Sequence, residues 1–128
     1  MSGRTRISLA MIRNNLYNGR FAAADRETLD EVISTVQNSQ SPFRELMLEV
    51  MANAQADIDR QRLKEAGHEL NAIHNLPVER TDFAKWDKDW FFTAEVPSYM
   101  ERVGQSPRGE RFLKLVAEAK ARYEAVAL

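Results

Sequence analysis

Residues 41–77 read SPFRELMLEVMANAQADIDRQRLKEAGHELNAIHNLP, the longest run of the chain with an uninterrupted helical pattern. Ser41 offers a side-chain acceptor to the free amides of a first helical turn, and Pro42 suits the first helical position, where its missing N–H is not needed. Asn75 and Pro77 mark the far end. Between them stand good helix formers, with Gly67 the one helix-weakening residue. At about 100° per residue, Phe43, Leu46, Met47, Val50, Met51, Ala54 and Ile58 make one apolar stripe. It stops where Gln61, Glu65 and Glu69 would continue it. A second stripe, through Leu48, Ala52, Ala56, Leu63, Ala66, Leu70 and Ile73, persists to the end. A helix apolar on two sides lies between layers, so this stretch is expected to be a long central helix, with Glu49, Asn53, Asp57 and Arg60 on a narrow solvent edge.

Length limits that picture. A straight helix over residues 42–75 would extend about 50 Å, whereas a compact chain of this size is roughly 36 Å across. Either the helix breaks or one end projects. Gly67 is the expected break, leaving a follow-on helix over residues 68–74. The alternative is a continuous arm that packs on a second copy, which would make a homodimer through the long helix.

On the N-terminal side, Leu9, Ile12 and Leu16 share one face of a helix expected over residues 5–17 and closed by Asn18 and Gly19. Arg4, Arg6, Arg13 and Arg20 precede the first acid, Asp25. That composition resembles a transit segment, but a first helix with a basic outer surface accounts for it more simply. Asp25 is expected to cap a second helix burying Leu29, Val32, Ile33 and Val36. The β-branched run EVISTV favours a strand, yet the three- and four-residue spacing and the acidic first turn favour the helix. A polar turn over residues 38–40 is short enough to make the helices on either side antiparallel neighbours.

On the C-terminal side, VERTDFAKWDKDWFFTAEVPSYMERV (78–103) holds six of the chain's eleven aromatic residues. Phe83, Trp86 and Trp90 are expected on one helical face, and Pro97 ends or kinks what precedes it. Gly104 closes the region. Ser106 and Pro107 then repeat the arrangement of Ser41 and Pro42 and open a last helix, with Phe112, Leu115, Val116, Ala119, Tyr123 and Val126 on one face and Glu110, Lys114, Glu118 and Arg122 stepping along another. The fold class is therefore all-α: one irregular bundle of five to seven helices spanning residues 1–128.

The 128 residues are 44% hydrophobic, enough for a core without staples. Eighteen basic against nineteen acidic residues give a formal net charge of -1, so no global field favours nucleic acid or an anionic membrane. No apolar run approaches the roughly 18 residues that span a bilayer. The chain has no cysteine, which excludes disulfides, thiolate metal sites and cysteine nucleophiles. A soluble, cytoplasmic protein is the expectation. The glycines are scattered and form no phosphate cradle.

Two groups of residues carry chemistry. Glu65, His68, Glu69 and His74 include both histidines, and Glu65 with His68 has the Glu-x-x-His spacing of carboxylate-bridged metal bundles. The motif is half present, since Asn71 stands where a second acid belongs before His74. His68-Glu69 also begins like a zinc-protease pattern, but the next histidine comes six residues on, where four are needed. A small helical enzyme or metal binder using this cluster is the secondary reading, and helix-end histidines with a purely structural role are the plainer one. The second group is Trp86, Asp87, Asp89, Trp90, Glu95 and Tyr99. Tryptophan and tyrosine dominate interface energetics, and surrounding acids steer a basic partner. The leading expectation is a non-enzymatic protein-binding module without a cofactor, for example a bacterial toxin-neutralising immunity protein or an adaptor. The structural counterpart is that Trp86, Trp90 and Phe91 only cover the open end of the bundle.

Overall fold

Seven α-helical segments follow one another along residues 2–127, which are those the computed structural model describes. They are α1 (Ser2–Tyr17), α2 (Ala23–Gln37), α3 (Arg44–Asp59), α4 (Leu63–Ile73), the single turn α5 (Lys88–Trp90), α6 (Val96–Val103) and α7 (Pro107–Ala127). A 3₁₀ turn, Arg80–Lys85, precedes α5, and a π-helical turn, Phe91–Glu95, joins α5 to α6. Among the described residues no strand occurs, and no helix is long and apolar enough to cross a membrane.

The stretch 41–77 is a helical hairpin, not a long central rod. The chain breaks at Gln61, six residues earlier than Gly67 leads one to expect. Gln61 takes φ 60°. Its N–H donates to Ile58 O (3.0 Å), and the Arg62 N–H donates to Asp57 O (2.7 Å), the paired bonds that satisfy the last carbonyls of a helix around a left-handed residue. Glycine usually occupies that position. The end of α1 makes the same pair of bonds around Gly19 at φ 73°, as expected there, with Gly19 N–H to Leu16 O and Arg20 N–H to Asn15 O. Past Gln61, α4 folds back to pack on α3, so the arm on which a second copy would lie is not formed.

Gly67 has a different task. It is buried in α4, and a Cβ there would stand 2.7 Å from Tyr17 Cδ1 and 3.4 Å from Arg13 O. It lets α1 and α4 approach closely. Ser41 does not cap the helix as expected, since Phe43 occupies the cap position. Helix α3 starts at Arg44, and the Ser41 hydroxyl accepts from the Phe43 N–H (3.1 Å) while donating to Pro77 O (2.7 Å), which joins the two ends of the hairpin.

The stripe from Phe43 to Ile58 is buried throughout and forms the middle of one core with Leu9, Ile12 and Leu16 of α1, Leu29, Val32 and Val36 of α2, and Phe112, Leu115, Val116 and Ala119 of α7. The second stripe is buried only in α4, at Ala66, Leu70 and Ile73, while Ala52 is exposed. Helix α2 starts two residues before Asp25, whose carboxylate accepts from the Ala22 N–H and from Asn15 Nδ2, both at 3.0 Å, fixing the α1–α2 corner. Ser106 caps α7 as its sequence predicts, accepting from the Gly109 N–H at 3.0 Å.

Candidate functional site

The aromatic segment is built from short, irregular helical pieces. Asp82 accepts from the Val78 and Glu79 amides at 3.2 and 2.9 Å and starts the 3₁₀ turn; Asp87 accepts from the Trp90 N–H at 3.0 Å and starts α5. Pro97 has no N–H to give Thr93 and its ring crowds that carbonyl, and the wider π turn immediately before α6 accommodates it. These turns point successive aromatic rings in different directions, so Phe83, Trp86 and Trp90 do not share one face. Phe83, Trp86, Phe91 and Tyr123 gather around buried Phe43, with centroids 4.9–6.5 Å from its ring. Trp90 stays outside that cluster and is 58% exposed. The covering role therefore belongs to Trp86 and Phe91, and Trp90 is free of it.

A cavity of about 610 Å³ opens beside Trp90. Arg6 of α1 and Asn75 and Leu76 of the loop after α4 form one side. Asp82, Lys85, Trp86, Asp87, Trp90 and Glu95 form the other. Four residues of the predicted partner-binding group, Trp86, Asp87, Trp90 and Glu95, thus surround one space. Asp89 is exposed on α5 and does not line it. Tyr99 lies away from it, buried on α6, and is no surface anchor.

The acids around this cavity differ in what they have left to offer. Asp82 and Asp87 are occupied by backbone amides, as above. Glu95 Oε2 is buried and has no hydrogen-bond partner among the described residues. Burial pushes the Glu95 carboxyl above its ordinary 4.5, opposed by hydrogen bonding of the same carboxyl with the Asn75 and Trp90 side chains. Trp90, mostly exposed to water, lines the same cavity and is the large apolar group there that a ligand or partner could cover.

The histidine cluster is not assembled. Glu69 turns into the core, His68 lies at the surface beside Tyr17, and His74 binds α1. Among the described residues no three His, Asp or Glu side chains could hold one metal ion. His74 uses both ring nitrogens: Nδ1 is 2.8 Å from Asn71 O, which can only accept, so Nδ1 carries the proton and Nε2 accepts from Arg13 Nη1 at 3.0 Å. Burial, with help from Arg13 and Arg6 and opposed by the Asn71 carbonyl, lowers the His74 pKa from 6.5. Both histidines serve the α1–α4 contact.

Glu69 instead belongs to a buried ionic network that the sequence reading placed in water. Asp57, expected on the solvent edge, and Glu69 are both 0% exposed. Arg108 Nη1 lies 3.0 Å from Asp57 Oδ2, 3.3 Å from Asp57 Oδ1 and 3.8 Å from Glu69 Oε2. Glu69 also binds Arg102 and accepts from the Tyr99 hydroxyl at 2.6 Å. Burial first, then Glu69, pushes that hydroxyl far above the usual phenol range, so it remains a donor. Tyr99 stacks on Phe112 at 3.9 Å, and the network thereby ties α3, α4, α6 and α7 together. The signal for it was present. Asp57 stands seven residues after Val50 and three after Ala54, and Glu69 three after Ala66, so each acid interrupts an apolar stripe and needs a buried partner.

Comparison of the chain with known protein families, with curated proteins and with solved structures finds no match.

Proposed function

We propose that this protein is a non-enzymatic protein-binding module whose partner docks on the cavity beside Trp90. An immunity-type or adaptor protein is the concrete form of such a module. The observation that carries the reading is the convergence of Trp86, Asp87, Trp90 and Glu95 on one cavity of about 610 Å³. Trp90 is the favoured anchor, because a large indole left mostly in water is available to a partner, whereas Trp86 is engaged with Phe43 and its neighbours. Asp87 before α5 and Asp89 on it are exposed beside Trp90, and these acids favour a basic group on the partner surface.

Affinity capture of the tagged protein from its host's lysate tests this. A stoichiometric protein partner is expected, and Trp90→Ala should weaken the complex by about 2 kcal/mol, roughly thirtyfold, without loss of helicity. An empty capture, or a complex indifferent to Trp90→Ala, overturns the assignment.

A further inference from the structure

The π turn that absorbs Pro97 also decides which side chain stands beside Trp90. Glu95 follows Trp90 by five residues, a separation that in an α-helix would set the two about 140° apart around the axis. Here the Val96 N–H donates to Phe91 O, the i to i+5 bond of the wider spiral, in which five residues make little more than one turn. Trp90 and Glu95 therefore come to the same side, and both line the cavity. The Glu95 carboxyl is hydrogen-bonded by the Trp90 indole and by the Asn75 side chain. An indole N–H can only donate, so the carboxyl accepts from it.

An exposed indole is ordinarily free to turn, and a partner that uses it must bring it to rest, which costs affinity. Trp90 is 58% exposed, yet it is fixed at both ends: its backbone N–H donates to Asp87 Oδ1 at 3.0 Å and its indole N–H to Glu95. One Glu95 oxygen is withdrawn from water, and the carboxyl is tied to Asn75 on the wall that follows α4. Resting on the binding-module reading, we infer that Glu95 is a positioning residue, which touches no partner but holds the Trp90 ring in its outward pose before a partner arrives, with Asn75 bracing it from the opposite wall. Because the indole N–H is spent inward, the ring meets the partner through its carbon surface and not through its donor.

Exchange of the indole N–H with water, followed by NMR on the full chain with isotopically labelled tryptophan, tests the tether without any partner. Trp90→Phe identifies the Trp90 signal, and Trp86 serves as the internal reference. The Trp90 indole is expected to exchange at least about fivefold more slowly than that of N-acetyltryptophanamide under the same conditions. Glu95→Gln keeps an acceptor and should retain most of that protection. Glu95→Met, of similar length but without an acceptor, should lose it while the Trp86 signal and the helical circular dichroism stay as in the parent. Exchange of Trp90 at the free-indole rate in the parent chain overturns the inference and needs no variant; protection that survives Glu95→Met overturns it as well. For a partner captured through Trp90, Glu95→Met should weaken binding about three- to tenfold and Glu95→Gln should restore it. Binding that depends on Trp90 but is indifferent to Glu95→Met overturns the positioning role and leaves the module standing. A protected indole released by Glu95→Met, with no protein captured, supports the tether and overturns the module reading alone.

Discussion

Replacing Arg108 with methionine removes the only side-chain partner that Asp57 has among the described residues while keeping a stem of similar length in place. Asp57 is fully buried, and both its carboxylate oxygens are served by Arg108 Nη1 at 3.0 and 3.3 Å. Breaking a buried pair by deleting one partner costs about 3–5 kcal/mol, chiefly because the remaining charge is stranded. The Arg108 side chain keeps 26% of its exposure, so water can reach the vacated position and the lower figure, about 3 kcal/mol, applies. A domain of this size is stable by about 5–15 kcal/mol in total, so the loss is large but need not unfold it. Urea denaturation followed by circular dichroism should show a lower midpoint with an unchanged slope. Two companions make the result diagnostic. Arg102→Met should cost less, because Glu69 retains the Tyr99 hydroxyl and Arg108. The double variant Asp57→Leu with Arg108→Met should recover most of the loss, since an apolar pair of similar volume replaces a buried ion pair at little net cost. A loss below about 1 kcal/mol for Arg108→Met, or simple additivity in the double variant, would refute the view that these charges depend on each other.

Gly67→Ala should destabilise the protein by about 1 kcal/mol, because crowding Tyr17 and the Arg13 carbonyl outweighs the gain in helix propensity; a higher urea midpoint would contradict the close α1–α4 approach. Gln61→Gly should raise stability by up to about 1 kcal/mol by relieving the left-handed backbone, and thermal unfolding would register it. His74 has a pKa lowered by folding, so its contact with Arg13 is intact above about pH 6.5 and loses stabilising effect as pH falls from there through the folded-state value. Urea midpoints measured from pH 7.5 to 5 should therefore decline, and His74→Gln should decline less. Glu95 has the opposite sign: its raised pKa favours the folded state below 4.5, and that advantage disappears as pH rises through the folded value. Glu95→Gln should accordingly be at least as stable as the parent at pH 7, and a marked loss would mean that the carboxylate's bonds with Asn75 and Trp90 outweigh its burial penalty.

The helices were legible wherever pattern and punctuation agree. Leu9, Ile12 and Leu16, the Phe43–Ile58 stripe, Gly19 as a helix stop and Ser106 as a helix start all stand where spacing and cap chemistry put them. The break after Asp59 was hidden because its left-handed position holds glutamine, and a glycine six residues further on offered a better-looking stop. Local propensity cannot show that Gly67 is needed for contact with Tyr17, a residue 50 positions away, since that need arises only when α1 and α4 meet. Asp57 and Glu69 were misplaced for the same reason: charge was taken to mean water, although both stand on apolar stripes, and their partners Arg102 and Arg108 come from remote helices. For the cavity, composition drew attention to a segment that lines it. It could not separate Trp86 from Trp90, or Glu95 from Asp82 and Asp87, because which ring is covered and which acid is engaged depends on the turns between them.

The bond from the Ser41 hydroxyl to the Pro77 carbonyl, together with the fold-back at Gln61, makes the α3–α4 hairpin a closed ring whose entrance and exit are the same corner. Force applied to the chain on either side of that corner meets this hydrogen bond first, and a bond worth only about 1 kcal/mol is the first to give before load reaches α3 and α4. The cavity wall at Asn75 and Leu76 lies just inside that corner. A pull on Trp90 would therefore strain the aromatic segment and this corner before it reached the body of the hairpin.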